Sequence, residues 1–364
     1  MVSSKPCDIA VVGAGLSGIV CAQQLQRAGY SVVVVEKSRG VGGRLATRRL
    51  SGVSADHGTR YLEAQGPYTE ELIPILRDRD LVKSWTEAVR HVSATGEIKP
   101  PGSEPYYVAP DGMNSVAKFL AEGLTVWRGQ RVTALTPTHS NTRWTLTLEP
   151  MPGHAILPLR VRGVVLAVPA PQAASLLEPL LADGLPTEML ESVQSVQFDP
   201  CITAIAVYPS GTETPDDPAW NALHFDDHPS LGWLSLESRK RNTDGRRVVL
   251  LQSNGSFAQK YLEATSLEPI GRALLQEASA FLPGLEKPEA LQVHRWRYAR
   301  VRQGLENCPS AAVPLPIVCA GDWCGGDNLE AALETGEAAA WAINARLKQR
   351  SLAPVDFASY ANTK

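Results

Sequence analysis

The sequence predicts a mixed α/β protein, and three observations in its first forty residues carry that prediction. An apolar run, Ile9-Ala10-Val11-Val12, leads into Gly13-Ala14-Gly15-Leu16-Ser17-Gly18. An alanine- and glutamine-rich helical segment then reaches Gly29, and a second apolar run, residues 32–35, ends in Glu36. A strand, a glycine turn, a helix and a second strand closed by an acid form a Rossmann-like dinucleotide-binding unit. Gly13 makes the sharp exit from the strand, Gly15 lets backbone amides approach a pyrophosphate, and Gly18 lets the helix lie close to the sheet. Unpaired amides and the positive end of the helix dipole favour an anion at that spot, and Glu36 can accept hydrogen bonds from ribose hydroxyls. The motif alone serves NAD and FAD alike.

Composition agrees with a soluble globular chain. The 364 residues are 44% hydrophobic and 20% charged, enough for two domains, and a net charge of −3 gives no reason to expect nucleic acid. The first strand begins too early for a secretory leader and no apolar stretch nears membrane-spanning length, so the expected address is cytosolic, with no membrane partner. Six cysteines (Cys7, Cys21, Cys201, Cys308, Cys319, Cys324) lack a CxxC pair or histidines at zinc spacing; they are expected as free, mostly buried thiols, with no metal site.

After Glu36, Lys37-Ser38-Arg39-Gly40-Val41-Gly42-Gly43-Arg44 suits a longer cofactor than NAD. FAD lies extended, and a second loop near its phosphates and ribityl chain needs glycine for close approach and a cation for charge, which Gly42, Gly43 and Arg44 supply. Asp56-His57-Gly58-Thr59-Arg60-Tyr61 offers a turn, a cation and an aromatic in succession. Short helical pieces are expected over 68–79 and 81–88, then a proline-rich stretch over 100–105. Asp111 to Ser115 reads as a cap for a helix over 116–122. Alternating runs at 124–127, 131–135 and 144–148 suggest a small β-meander. VRGVVLAVPAP, residues 161–171, reads as a buried strand returning to the nucleotide-binding sheet. Residues 172–294 mix helices with strands (202–207, 248–251) and turn-rich loops at 210–218 and 239–247; Arg239-Lys240-Arg241 is expected as a solvated turn. Last comes an apolar strand, 315–320, then Gly321-Asp322-Trp323-Cys324-Gly325-Gly326-Asp327-Asn328 and a helix over 329–349. Asp322 can accept from a ribityl hydroxyl, and the amides of Leu329, Glu330 and Ala331 can face the flavin pyrimidine, where negative charge develops on reduction. The expected organisation is a discontinuous FAD-binding domain (1–62, 113–171, 293–350), an α+β substrate domain (63–112, 172–292) and a tail (351–364).

Taken together, GAGLSG, Glu36, SRGVGGR, DHGTRY, VRGVVLAVPAPQA and CAGDWCGGDNLEAALETG, with PDGM at 110–113, FDP at 198–200 and HRWRYA at 294–299, resemble the FAD-dependent amine oxidase superfamily from end to end, and within it the renalase-like branch. The resemblance implies a two-dinucleotide-binding-domain flavoprotein of p-hydroxybenzoate hydroxylase-like topology. It implies FAD held without a covalent link by the segment Gly13, Ala14, Gly15, Leu16, Ser17 and Gly18, by Glu36, Lys37, Gly42, Gly43 and Arg44, and by Gly58, Thr59 and Arg60. Val132, whose backbone would lie near adenine, Ala167, and the closing loop of Gly321, Asp322, Asn328, Leu329, Glu330 and Ala331 complete the set. Two departures stand out: Arg60 replaces a glutamine common in relatives and disfavours a cationic amine, and Ala331 stands where many have glycine. Cys324 follows Asp322, and no cysteine occupies the place where monoamine oxidases attach flavin.

The implied activity is oxidation of 2- and 6-dihydro isomers of NAD(P)H, with hydride passing to flavin N5 and electrons to O2 to give hydrogen peroxide. Such chemistry needs orientation and exclusion of water rather than an acid–base set. Arg295, Arg297, Arg300 and Arg302 sit on one stretch; if it is extended, Arg295 and Arg297 share one face and Trp296 and Tyr298 the other. Candidate chamber residues are Arg60, Tyr61, Trp233, Trp296 and Tyr298, with Trp323 a further one. Alternatives are an amine oxidase or a desaturase of the same superfamily, and, in another class, a non-catalytic binding protein like the Rab escort and GDP-dissociation-inhibitor group. The expected partners are a small-molecule substrate and O2, in a monomer or weak dimer.

Overall fold

The computed structural model describes residues 7–362 apart from 86–88, 103–104, 139–141, 150–157, 212–217 and 348–349. Six strands form the nucleotide-side sheet in the order Ser310–Ala311, Ile317–Cys319, Gly163–Leu166, Ile9–Val12, Val32–Glu36, Val126–Arg128. All pair in parallel except the edge strand Ser310–Ala311. The helices Leu16–Arg27 and Leu329–Leu347 pack on one face. On the other lie a three-stranded sheet (Val132–Thr138, Arg143–Leu148, Leu159–Val161) and the helices Ala170–Leu177 and Thr187–Ser195. Burial on both faces is why the central strands read as unbroken apolar runs. Strand order reverses at Ile9–Val12, so a crevice opens at its carboxyl end, where the glycine turn stands.

A second six-stranded sheet runs Ala290–Gln303, Gln197–Ser210, Arg246–Ser253, Leu231–Leu236, Ala222–Phe225, Val89–Val92. Its outer face packs against the helices Gly255–Lys260 and Glu268–Ala278. Its inner face meets Val53, Ala55, Trp85 and Val108 and turns toward the crevice. Among the described residues no helix is long and apolar enough to cross a membrane.

Several expectations change. The helix expected over 81–88 is not formed by the described residues 81–85: Lys83–Ser84 is a short strand against Tyr107–Val108, and 86–88 lie outside the described residues, as do parts of the proline stretch, of the 210–218 loop and of the last helix. The run at 124–127 joins the edge of the parallel sheet, pairing Val34 with Val126, and the third meander strand is Leu159–Val161. Alternation marks a strand without choosing its partner. Residues 293–303, placed with the FAD-binding unit, pair instead along Gln197–Ser210, whereas the helix Pro67–Asp78, placed with the substrate unit, buries Leu72, Ile73 and Leu76 in the nucleotide-side core. The tail docks through the buried Phe357 and Tyr360.

Candidate functional site

At the glycine turn the backbone is packed on one side and open on the other. A Cβ on Gly13, whose φ is +107°, would stand 2.3 Å from the Ala167 carbonyl oxygen, and one on Gly18 would stand 2.1 Å from that of Gly13. Gly15 faces empty space, with no atom within 4 Å of where its Cβ would be. The turn therefore leaves room for a ligand on the side of Gly15, where the helix amides point. Glu36 is buried, its carboxylate accepting from the Ala14 amide at 2.8 Å and the Ser38 amide at 2.7 Å. The amide of Gln130, two residues before Val132, donates to the Glu36 carbonyl at 2.9 Å, which brings the segment leading into Val132 to the end of the strand that carries the acid. Lys37 reaches Gln172 at 3.4 Å, and the Ser17 hydroxyl turns to Thr335, also at 3.4 Å, leaving only its amide for a phosphate.

The second glycine loop folds onto the first: Gly42 donates to the Ala14 carbonyl at 2.8 Å, and a Cβ on Gly43 would stand 3.3 Å from the Gly15 Cα. Arg44 then joins the two ends of the chain, its guanidinium 2.6 Å from Asp322 Oδ1 and 3.3 Å from the Ala299 carbonyl. Asp322 is almost fully buried and also accepts from the Trp323 amide through Oδ1, so Oδ2 remains for a ribityl hydroxyl. Separated turns converge on one elongated cradle, the fit an extended FAD requires.

The closing loop differs from expectation in detail. Asn328 caps the last helix by accepting from the Ala331 amide at 2.9 Å, so Leu329 and Glu330 offer the free amides there. The Glu330 carboxylate is spent on the helix Pro67–Asp78, accepting from the Tyr68 and Thr69 amides and the Thr69 hydroxyl. Ala331 fits because Gly326 faces it; a Cβ there would come within 3.0 Å of the alanine methyl. Gly321, at φ +154°, leaves room for the Trp323 indole, which is buried and donates to the Val168 carbonyl at 3.1 Å, so Trp323 is core rather than chamber. Burial drives the Cys324 thiol far above its ordinary pKa, which makes it a poor nucleophile for flavin attachment.

The DHGTRY loop lies on Arg44: Thr59 donates to its carbonyl at 2.9 Å, and Gly58 has no room for a side chain there. Arg60 follows, its guanidinium 4.6 Å over the Trp233 ring and its Nε 2.6 Å from Gln252 Oε1, while Nη2 is buried without a partner. Burial and the nearby Arg300 lower its pKa to about 9, so it is charged at neutral pH. Tyr61 packs 4.3 Å from Tyr106 and 5.7 Å from Trp233; burial, with Glu63 close by, pushes its phenol up to about 12 and keeps it a donor. Trp233 is fully buried with its indole N–H unpartnered. His224, beside Trp233, has its pKa lowered to about 4 by burial and then by Arg60, and is neutral at pH 7.

The arginine stretch splits. Arg295 bonds the Ala264 carbonyl at 2.9 Å, Arg297 takes Glu263 with two nitrogens, and Arg302 bonds Gln197, all away from the chamber. The Arg300 side chain makes neither hydrogen bond nor ion pair among the described residues and lies close enough to Arg60, Tyr61, Cys201 and His224 to shift all four. Tyr298 packs edge-on to Phe198 at 5.5 Å. Trp296, one of the chamber candidates, stacks on His57 at 5.1 Å and donates to the His57 carbonyl at 2.9 Å, which also takes the Thr203 hydroxyl. It holds the DHGTRY loop. Trp296→Ala is accordingly expected to cost about 2–3 kcal/mol, read as a lower denaturant midpoint together with reduced FAD content; full FAD retention with slowed reduction would return Trp296 to the chamber.

The triplet Arg239-Lys240-Arg241, expected as a solvated turn, underlies the same loop. Lys240 is fully buried, pairs with Glu237 at 2.7 Å and donates to the Arg60 carbonyl at 2.8 Å. Arg241 pairs with Asp56, which Thr47 and the Met113 amide also bond. Burial disfavours the Arg241 charge, but Asp56 and Glu237 outweigh it and raise its pKa. Sequence reasoning also missed Gln252 and His224, which carry no local motif.

A family model described as NAD(P)-binding Rossmann-like domain matches residues 11–78, and one described as flavin containing amine oxidoreductase matches 96–344. Mouse (Mus musculus) renalase is 25% identical over 333 residues, covering 86% of this chain and 92% of that one. A Synechocystis L-amino acid dehydrogenase is 35% identical over 82 residues, 22% of this chain and 17% of its own. Among solved structures, putrescine oxidase bound to putrescine superposes with a TM-score of 0.69 at 16% identity, covering 94% and 99% of the two chains. Cyclohexylamine oxidase from Brevibacterium oxydans gives 0.69 at 16%, covering 95% and 100%. These structures speak for the fold alone. With the family model spanning most of the chain and the glycine turns meeting at one cradle, the chain belongs to the flavin containing amine oxidoreductase family and is an FAD-dependent oxidoreductase.

Proposed function

We propose that this chain oxidises dihydropyridine nucleotides of the 2- and 6-dihydro-NAD(P) type, with O2 as electron acceptor and hydrogen peroxide as product, as a cytosolic monomer or weak dimer. FAD, held by the residues around Gly15, Glu36, Arg44 and Asp322, supplies the hydride acceptor. The observation that carries the substrate reading is the positive charge beside the chamber: Arg60 is held with Nη2 buried and unpartnered, and the exposed Arg300, close enough to lower its pKa, has no counter-ion among the described residues. Two uncompensated guanidiniums repel a protonated amine and attract the phosphates of a dinucleotide. Tyr61, half-buried and backed by the fully buried Trp233, gives an aromatic surface against which a dihydropyridine ring can lie. No general base is needed for such a donor. Similarity to renalase over most of both chains supports the same reading.

Anaerobic mixing of the FAD-loaded protein with 2- and 6-dihydro-NAD(P), simple amines and ordinary NAD(P)H tests it. Bleaching near about 450 nm is expected with the dihydro isomers; bleaching by amines alone overturns the reading. Arg300→Ala should raise KM for the dinucleotide about 10–100-fold, the worth of one charge-assisted contact, with kcat little changed. A fall in kcat at constant KM would place Arg300 outside substrate binding.

A further inference from the structure

We propose that His91, His224 and Asp226 form a binding site for a borderline divalent transition-metal ion, Zn2+ being the reference case, at the edge of the substrate-side sheet. The ladder builds the site. Val89–Val92 pairs in parallel with Ala222–Phe225, and the register sets His91 directly beside His224, their rings 4.9 Å apart on one face. Asp226 follows the second strand, its amide tied to the Val92 carbonyl at 3.1 Å. Its Oδ1 lies 2.8 Å from His91 Nδ1 and 3.5 Å from His224 Nδ1, and the ligand atoms of all three residues fall within 4.8 Å of one another.

Metal–ligand bonds of roughly 2.0–2.1 Å in a tetrahedron set ligand–ligand edges of about 3.3 Å. The two observed N···O spacings straddle that value, so small ring rotations admit the ion without moving the backbone. Lys99 Nζ bonds Oδ2 at 3.0 Å, which orients the carboxylate and leaves Oδ1 for a metal. His224 Nδ1 is buried and makes no hydrogen bond. Two imidazoles and one carboxylate select zinc, nickel or copper over magnesium or calcium, and three protein ligands leave one position for water. Half-exposed His91 and Asp226 give the ion a path in. The histidines belong to strands more than a hundred residues apart in sequence, so no ligand spacing announces them. The rival arrangement is a closed ion-pair network in which His91 and Lys99 merely share Asp226.

The two are separated with full-length, FAD-loaded protein stripped by chelator and titrated calorimetrically with ZnCl2, and with CoCl2 while visible absorption is followed. The site predicts one equivalent bound at about 10 µM or tighter and a tetrahedral Co2+ spectrum. His91→Ala/His224→Ala should weaken binding at least about 100-fold, with flavin absorbance and melting temperature showing the fold intact. His294→Ala should leave binding unchanged, because the His57–His294 pair lies elsewhere. Absence of saturable binding in the wild type, or equal binding by the double variant, leaves the ion-pair network and overturns the proposal.

Discussion

Gly15→Val is expected to give a folded protein that has lost most of its affinity for FAD. Nothing in the polypeptide lies within 4 Å of the new Cβ, and the residue sits at φ −73° and ψ 176°, a conformation valine adopts readily. The branched side chain grows into the open side of the turn, where it collides with what occupies the cradle. Overpacking costs about 1–3 kcal/mol, so FAD affinity should fall about 10–100-fold, while the melting temperature of FAD-free protein matches that of FAD-free wild type. Gly13→Ala is the contrast. There a methyl group meets the Ala167 carbonyl at 2.3 Å in a backbone at φ +107°, so the FAD-free protein itself should melt lower. Apoprotein titration and scanning calorimetry on both variants separate the two effects. Unchanged FAD affinity in Gly15→Val would take the glycine turn out of cofactor binding.

The contrast shows which parts of the site can be read along the chain. Gly13, Gly15 and Gly18 each serve a neighbour within a few residues or on the adjoining strand, and a short motif records such local requirements. The meeting of Arg44 with Asp322 is also legible, because a cofactor long enough to need both loops must bring them together. The hydrogen bond of Trp296 is illegible for the opposite reason. Alternation places the residue correctly on the inner face of its strand, but the His57 carbonyl that takes its N–H lies 239 residues away and leaves no mark nearby. Glu330 is similar: its place at the start of the closing helix suggests an amide facing the flavin and says nothing of its carboxylate, which caps a helix 261 residues earlier.

Arg239-Lys240-Arg241 is the extreme case, and it yields the largest expected stability effect. Three adjacent cations read as a solvated turn because water is the cheapest partner for charge. Here the partners are Glu237 and the distant Asp56, and Lys240 ends up with no exposed surface. Glu237 accepts from Lys240 Nζ at 2.7 Å, the Ser235 hydroxyl at 2.9 Å and the Asp56 amide at 3.0 Å. Glu237→Ala therefore strands a buried ammonium and a buried amide together, and should lower stability by about 3–5 kcal/mol. A denaturant melt of the FAD-loaded protein measures it. Glu237→Leu/Lys240→Leu should recover part of the loss, because removing both charges is cheaper than orphaning one. Disrupting the exposed Glu268–Arg272 pair should change little. The network also bears on the chemistry, since Lys240 holds the Arg60 carbonyl at 2.8 Å and with it the cation that faces the chamber. The double variant should accordingly fold yet bind an anionic dinucleotide more weakly, with KM raised and FAD content near that of wild type. If it matches wild type in KM, the network serves stability alone and Arg60 is positioned by Gln252 and Trp233 without it.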